Sequence, residues 1–229
     1  MSKFFFPLLI AVVLGACHAP PELPHQPEIG FLSVKYWETD SRRDSLNLVL
    51  AFQDGNGDLG LAPIDTVPPY NRRDFVLGAN GQPITYANRR PEDPIFTTKN
   101  NGIKWEIRTS ESETDFQADT LRIELNPNHY NYFVRWYHKD AGVEGAQYEE
   151  YNFLEVTGVP LDGRFPILNT TDRERPLQGE LKYGIVSSGI RQFSKDSIRL
   201  ELWIQDRALN ESNHVFTPSF TLNDIKASN

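Results

Sequence analysis

The chain predicts an all-β fold built as an antiparallel β-sandwich, on three observations. From residue 29 onward apolar residues recur with period two, aromatic and branched residues crowd those runs, and turn dipeptides punctuate them. No long segment carries sustained helical spacing. Leu32, Val34 and Tyr36 alternate with Ser33, Lys35 and Trp37 in a first strand, and Leu46, Leu48, Leu50 and Phe52 line one side of a second. Between residues 61 and 129 the pattern reads as inserted hairpins. There the proline-rich stretch 61–70 and the acidic stretch 111–119 are loops, and Asn80-Gly81 is a tight turn. Asn101-Gly102 is expected to join residues 95–99 to residues 103–108 as a hairpin. Strands follow at residues 120–125, 130–138, 177–185 and 197–205, and Asp162-Gly163 is expected to turn residues 154–159 back into residues 164–168. In the segment 130–138, Tyr132, Val134 and Trp136 share one face and Phe133, Arg135 and Tyr137 the other. The expected organisation is one sandwich domain over residues 29–229, enlarged by the insertion at about 61–129, with two smaller β domains as the alternative.

The chain has 229 residues, a single cysteine and a formal net charge of -8. With one cysteine the folded part has no disulfide, so its stability must come from apolar burial and hydrogen bonds, to which a bound ion could add. An acidic surface repels phosphates, and the pairs Arg72-Arg73 and Arg89-Arg90 both sit near acidic residues. Nucleic acid is therefore excluded as a partner.

The amino terminus has its own logic. Lys3 precedes an apolar run of 11 residues, 4–14, whereas a membrane-spanning helix needs about 20. Such a run reads as a signal segment, and the small residues Gly15 and Ala16 leave room for a peptidase. The order Leu14-Gly15-Ala16-Cys17 resembles the lipobox of bacterial lipoproteins. That resemblance implies that residues 1–16 are a signal peptide removed before Cys17, and that Cys17 is lipidated with acyl chains that fasten the protein to a membrane. Lipidation also accounts for a lone cysteine in an exported chain. In this family an aspartate directly after the lipidated cysteine is often an inner-membrane signal, and His18 in its place implies attachment to the outer membrane of the cell envelope, in either the periplasmic or the surface leaflet. Residues 17–28 contain four prolines and read as an extended tether, some ten residues of which would lift the domain roughly 30 Å from the bilayer.

Two segments of the chain echo each other. The run from Asp44 to Asp54 aligns without a gap on the run from Asp196 to Asp206, each an alternating strand that ends in Gln-Asp and enters a polar loop. Leu46, Leu48, Leu50, Phe52 and Asp54 fall on one side, and Ile198, Leu200, Leu202, Ile204 and Asp206 on the corresponding side. The ending Asp206-Arg207-Ala208-Leu209-Asn210 resembles the Asp-x-x-Gly-Asn close of a late strand in bacterial immunoglobulin-like and fibronectin-like domains, with Leu209 where that motif has glycine. The resemblance implies an immunoglobulin-like sandwich whose second and sixth strands run the same way, so that both following loops emerge at one end.

The first of those loops, Asp54-Gly55-Asn56-Gly57-Asp58-Leu59-Gly60, carries the strongest chemical motif. Calcium prefers hard oxygens, and alternate positions of a glycine-rich turn can aim several at one point. Asp54, Asn56 and Asp58 have that spacing, Asp65 stands twelfth, and Asp206 or Asn210 would join them from the echoed loop. The spacing resembles an EF-hand, but Leu59 takes the sixth place where glycine belongs and strands flank it, so the expectation is a calcium site of β-sandwich type. A plain Asp/Asn/Gly turn is the other reading.

Catalytic patterns are absent from the sequence. It has no Gly-x-Ser-x-Gly elbow, no phosphate-binding loop and no His-Glu-x-x-His helix, and its five histidines are scattered. The expectation is a non-catalytic envelope lipoprotein acting as a binding or assembly module for a protein or glycan partner. The alternative is a carbohydrate-binding or carbohydrate-active lipoprotein, for which Trp105, Tyr130, Tyr132, Trp136, Tyr137 and Trp203 would supply stacking platforms.

Overall fold

A computed structural model describes residues 23–40, 43–108, 120–171 and 173–227. The signal segment 1–16, Cys17, His18 and the start of the tether lie outside the described residues. Among the described residues ten strands form three antiparallel sheets. The first contains β1 (Glu28–Trp37), β2 (Asp44–Asp54) and β8 (Leu177–Ser187) in the order β1-β2-β8. The second contains β6 (Tyr132–Asp140), β7 (Glu149–Glu150), β9 (Asp196–Ile204) and β10 (Val215–Phe216) in the order β10-β9-β6-β7. One helix among the described residues, α1 (Phe153–Thr157), spans barely more than a turn.

These two sheets enclose one core, because each offers an apolar face of period two. Leu46, Leu48, Leu50, Leu181 and Ile185 come from the first sheet, and Tyr132, Val134, Trp136, Ile198, Leu200, Leu202 and Ile204 from the second. The chain is therefore an all-β sandwich. The third sheet, β3 (Arg73–Phe75), β5 (Thr120–Leu125) and β4 (Trp105–Ile107) in the order β3-β5-β4, comes entirely from the span between residues 61 and 129. It buries its own small apolar group, Ile84, Trp105, Leu121 and Ile123, apart from the main core.

Local chemistry overrides the simple alternation in four places. A bulge between Phe31 and Ser33 turns Leu32 outward to 49% exposure, which removes it from the face it would share with Tyr36. Phe52, at the end of its row, is only half-buried. The expected hairpin through Asn101-Gly102 does not form. Thr97 and Asn100 instead exchange side-chain bonds with each other's backbone N–H at 3.3 and 2.8 Å, which folds residues 98–100 into a single 3₁₀ turn, and β4 pairs with β5. Residues 154–159 and 164–168 do not form strands either. Asn152 caps α1 through Glu155 N–H at 3.2 Å, Gly158 ends it at φ +78°, and the Asp162 carboxylate accepts from Val134 N–H at 2.9 Å, which pins that segment beside β6.

At the end of the sandwich where β2 begins, Asp44 is fully buried but fully partnered. Its oxygens accept from Arg191 at 2.7 and 2.9 Å, from Tyr36 OH at 2.6 Å and from Thr39 N–H at 2.9 Å. The Arg191 bonds are the main reason its carboxyl is held down to about 2. A depressed carboxyl stabilises the fold above its unfolded value of about 4, and that contribution is lost as pH falls from about 4 to about 2. Asp44→Ala should therefore cost about 2 kcal/mol at neutral pH. The gap between variant and natural chain in denaturant titrations should narrow as pH falls toward about 2.5; a gap independent of pH would contradict this assignment.

Candidate metal centre

The opposite end of the sandwich is built differently. At their starts, the echoed strands set Asp44 against Arg191 and Asp196 against His138 Nδ1 at 2.7 Å. At their ends, Asp54 and Asp206 have no such basic partner among the described residues. The two loops meet there, joined by an antiparallel bridge between Leu59 and Asp206 and by an Arg207 N–H to Asp58 carbonyl bond of 3.2 Å. Carboxylate oxygens of Asp54, Asp58 and Asp206 consequently lie within 4.8 Å of one another.

The loop that carries Asp54 and Asp58 is held from three sides. Leu168 N–H donates to the Leu59 carbonyl at 3.1 Å, Arg175 N–H to the Asn56 carbonyl at 3.2 Å, and Gly55 N–H to the Pro24 carbonyl at 2.8 Å. The tether thus docks from residue 23 and joins β1 at Glu28, one residue earlier than the sequence pattern places the domain boundary. Three glycines are required by these approaches: a Cβ on Gly55 would stand 2.2 Å from the Leu23 carbonyl oxygen. Gly57 has φ +71° and Gly60 φ +102°, and a Cβ on either would stand 2.2 to 2.3 Å from the carbonyl oxygen of Arg175 or Pro166. Leu59, the residue that excludes an EF-hand, is fully buried and anchors the loop in the core.

The electrostatics follow from this enclosure. Asp54 is fully buried, Asp206 is 2% exposed and Asp58 is half-buried. Asp54 Oδ2 accepts from Asp58 N–H at 3.1 Å, but Asp54 Oδ1, Asp58 Oδ1 and Asn56 Oδ1 are enclosed without a hydrogen-bond partner. Burial, reinforced by the Asp58 charge, pushes the Asp54 carboxyl up to about 6. Burial and then Asp206 raise Asp58. Three carboxylates so placed repel one another, and the orphaned oxygens of Asp54 and Asp58 lack compensation from protein donors.

The six residues expected to share an ion divide into groups. Asp54, Asp58 and Asp206 converge, and Asn56 contributes an enclosed oxygen in the same turn. Asn210 acts on Asp206 instead: its backbone N–H and side-chain Nδ2 donate to the two Asp206 oxygens at 2.7 and 2.8 Å. This closes the turn through Leu209, whose φ of +67° is the left-handed conformation for which the resembled motif keeps glycine. Asp65 stands apart, accepting from Ala62 N–H at 2.8 Å with Arg207 Nη1 at 4.0 Å. Sequence spacing exposed the carboxylates but not the clamp by Asn210 or the bridge through Leu59. A polar residue four positions after Asp206 was the only trace of the first.

The aromatic residues considered as sugar platforms are mostly interior. Trp105, Tyr132 and Trp136 are at most 1% exposed, and Trp203 is 8% exposed between Phe133 and His214. Among the described residues no helix is long and apolar enough to cross a membrane. No protein family matches this chain, and neither a curated protein nor a solved structure shows significant similarity to it.

Proposed function

We propose that this chain is an envelope lipoprotein, anchored in the outer membrane through Cys17, whose β-sandwich is a non-catalytic binding or assembly module stabilised by calcium. The observation that carries the cation is the convergence of Asp54, Asp58 and Asp206 with enclosed, unpartnered oxygens on Asp54, Asn56 and Asp58. All of these donors are hard oxygens, with no nitrogen or sulfur among them, which favours calcium or magnesium over zinc. Calcium is the better fit because a loop supplying carboxylate and amide oxygens tolerates its larger, irregular shell, whereas magnesium demands a tight octahedron. The ion would join a loop of the first sheet to a loop of the second. Because the tether docks on that same loop, it would also fix how the domain leaves its anchor.

Two measurements test this reading. Calcium at about a hundredfold over its Kd should stabilise the purified protein by about 2.7 kcal/mol, which for a domain of this size is a rise in melting temperature of roughly 5–10 °C. Identical melting curves in calcium and in chelator would remove the ion from the account. For the anchor, Cys17→Ser should abolish fatty-acid labelling and move the protein from the membrane to the soluble fraction. Label retained by the serine variant would rule out lipidation at Cys17.

A further inference from the structure

The outward face of the four-stranded sheet carries a cationic group that the cation site and the core leave unexplained. Arg199 on β9 lies under three rings, with its guanidinium carbon 4.8 Å from the centre of Phe216, 4.9 Å from Tyr148 and 5.8 Å from Tyr137. Lys139 on the neighbouring strand β6 places its ammonium 4.9 Å from the same Tyr148 ring. Among the described residues neither Arg199 nor Lys139 pairs with a carboxylate, and Arg199 Nε is enclosed without an acceptor. The acids nearby are committed elsewhere. Glu201 accepts from Tyr137 OH at 2.9 Å and lies 2.8 Å from His214 Nδ1, Asp196 holds His138, and Asp140 accepts from Gly142 N–H at 2.8 Å. In a chain of net charge -8, Arg199 and Lys139 thus share one ring without a carboxylate partner of their own among the described residues.

The ring contacts fix the plane of the Arg199 guanidinium without neutralising it; Nε is enclosed, and the terminal Nη donors are the ones left to meet an oxyanion. Hydroxyls border the cations: Tyr148 OH lies 2.9 Å from Ser197 Oγ and donates to Ser219 Oγ at 2.6 Å. Beside them Phe216 is 47% exposed on the short edge strand β10. We propose that this face binds an acidic saccharide of the uronic-acid class, with Arg199 and Lys139 taking its carboxylate, Phe216 its apolar ring face, and the three hydroxyls its own hydroxyl groups. Charge complementarity selects the anion. The exposed ring and the hydroxyl cluster select a sugar over an acidic peptide, whose side chains present no flat apolar face. The assignment is independent of the cation site at the end of the sandwich.

Calorimetric titration of the full-length protein tests it, in buffer free of divalent cations so that nothing depends on Asp54, Asp58 or Asp206. The probes are tetragalacturonate, its methyl ester and tetraglutamate. Tetragalacturonate should bind, and the ester should bind at least about tenfold more weakly. Lys139→Ala and Phe216→Ala should each weaken tetragalacturonate by about tenfold, with melting temperatures within about two degrees of the natural chain because both side chains lie at the surface. Arg199→Lys, which keeps the charge but not the planar fork, should weaken it comparably. No binding of tetragalacturonate at about millimolar concentration, or equal binding of the ester, would overturn the proposal. Tetraglutamate binding as tightly as the uronate would also overturn it, by making this an acidic-peptide surface.

Discussion

Leu202→Ala will destabilise the protein by about 3–5 kcal/mol, and Leu50→Ala by a similar amount. Both side chains are fully buried, and they belong to opposite sheets of one core. Each substitution removes apolar surface from that core and leaves a cavity that neighbouring strands can close only in part, because both strands are held by pairing along their length. Leu50 faces Phe31 and Leu181 across its two ladders, and Leu202 lies between Val134 and Val215. Leu32→Ala is the matched control, since the bulge in β1 leaves Leu32 half exposed, and it should fall within about 0.5 kcal/mol of the natural chain. Denaturant titrations that find all three substitutions equivalent would refute the packing described for the sandwich.

Replacing Asp54 and Asp58 together by asparagine will have effects of opposite sign with and without calcium. In calcium-free buffer at neutral pH the double variant should melt above the natural chain, by about 1–3 kcal/mol in stability, because it removes two enclosed charges that repel each other and Asp206. Asparagine keeps an oxygen able to accept from Asp58 N–H, so the turn itself is retained. In calcium the order should reverse, since the variant has lost the charges that bind the ion. The pH dependence has a defined direction. With its carboxyl at about 6, above the unfolded value of about 4, Asp54 binds its proton more tightly in the folded state. The cation-free natural chain should therefore lose stability as pH rises from about 4 to about 6, whereas the double variant should lack that component of the profile. Calcium should stabilise most above about pH 6, where it no longer competes with the proton. A double variant that is less stable than the natural chain in both conditions would make Asp54 and Asp58 turn residues and nothing more.

The order of the core rows could be read directly from residue type, because a strand exposes alternate side chains to opposite faces. Leu46, Leu48, Leu50, Ile198, Leu200, Leu202 and Ile204 needed only that rule, and so did the grouping of Tyr132, Val134 and Trp136 on one face of β6, which the structure makes the core face. The gapless echo between the runs starting at Asp44 and Asp196 also carried tertiary information, since the closing aspartates of the two runs do meet at one end of the sandwich. Alternation failed wherever a polar side chain could bond its own backbone. Thr97 with Asn100, and Asn152 with Glu155, made turns and a helix from stretches whose apolar spacing suited strands. The bulge that exposes Leu32 is invisible to a period of two because it breaks that period in one strand only. Pairing across distance decided the rest. Asp65 stands at the right count from Asp54 yet turns to Ala62 and Arg207, while Asn210 clamps Asp206 and Leu59 bridges the loops. Residue spacing counts positions along the chain, whereas an ion or an anion is met by atoms in space. The carboxylates at one end and the caged Arg199 on the outer face therefore became sites only when the sheets placed their neighbours.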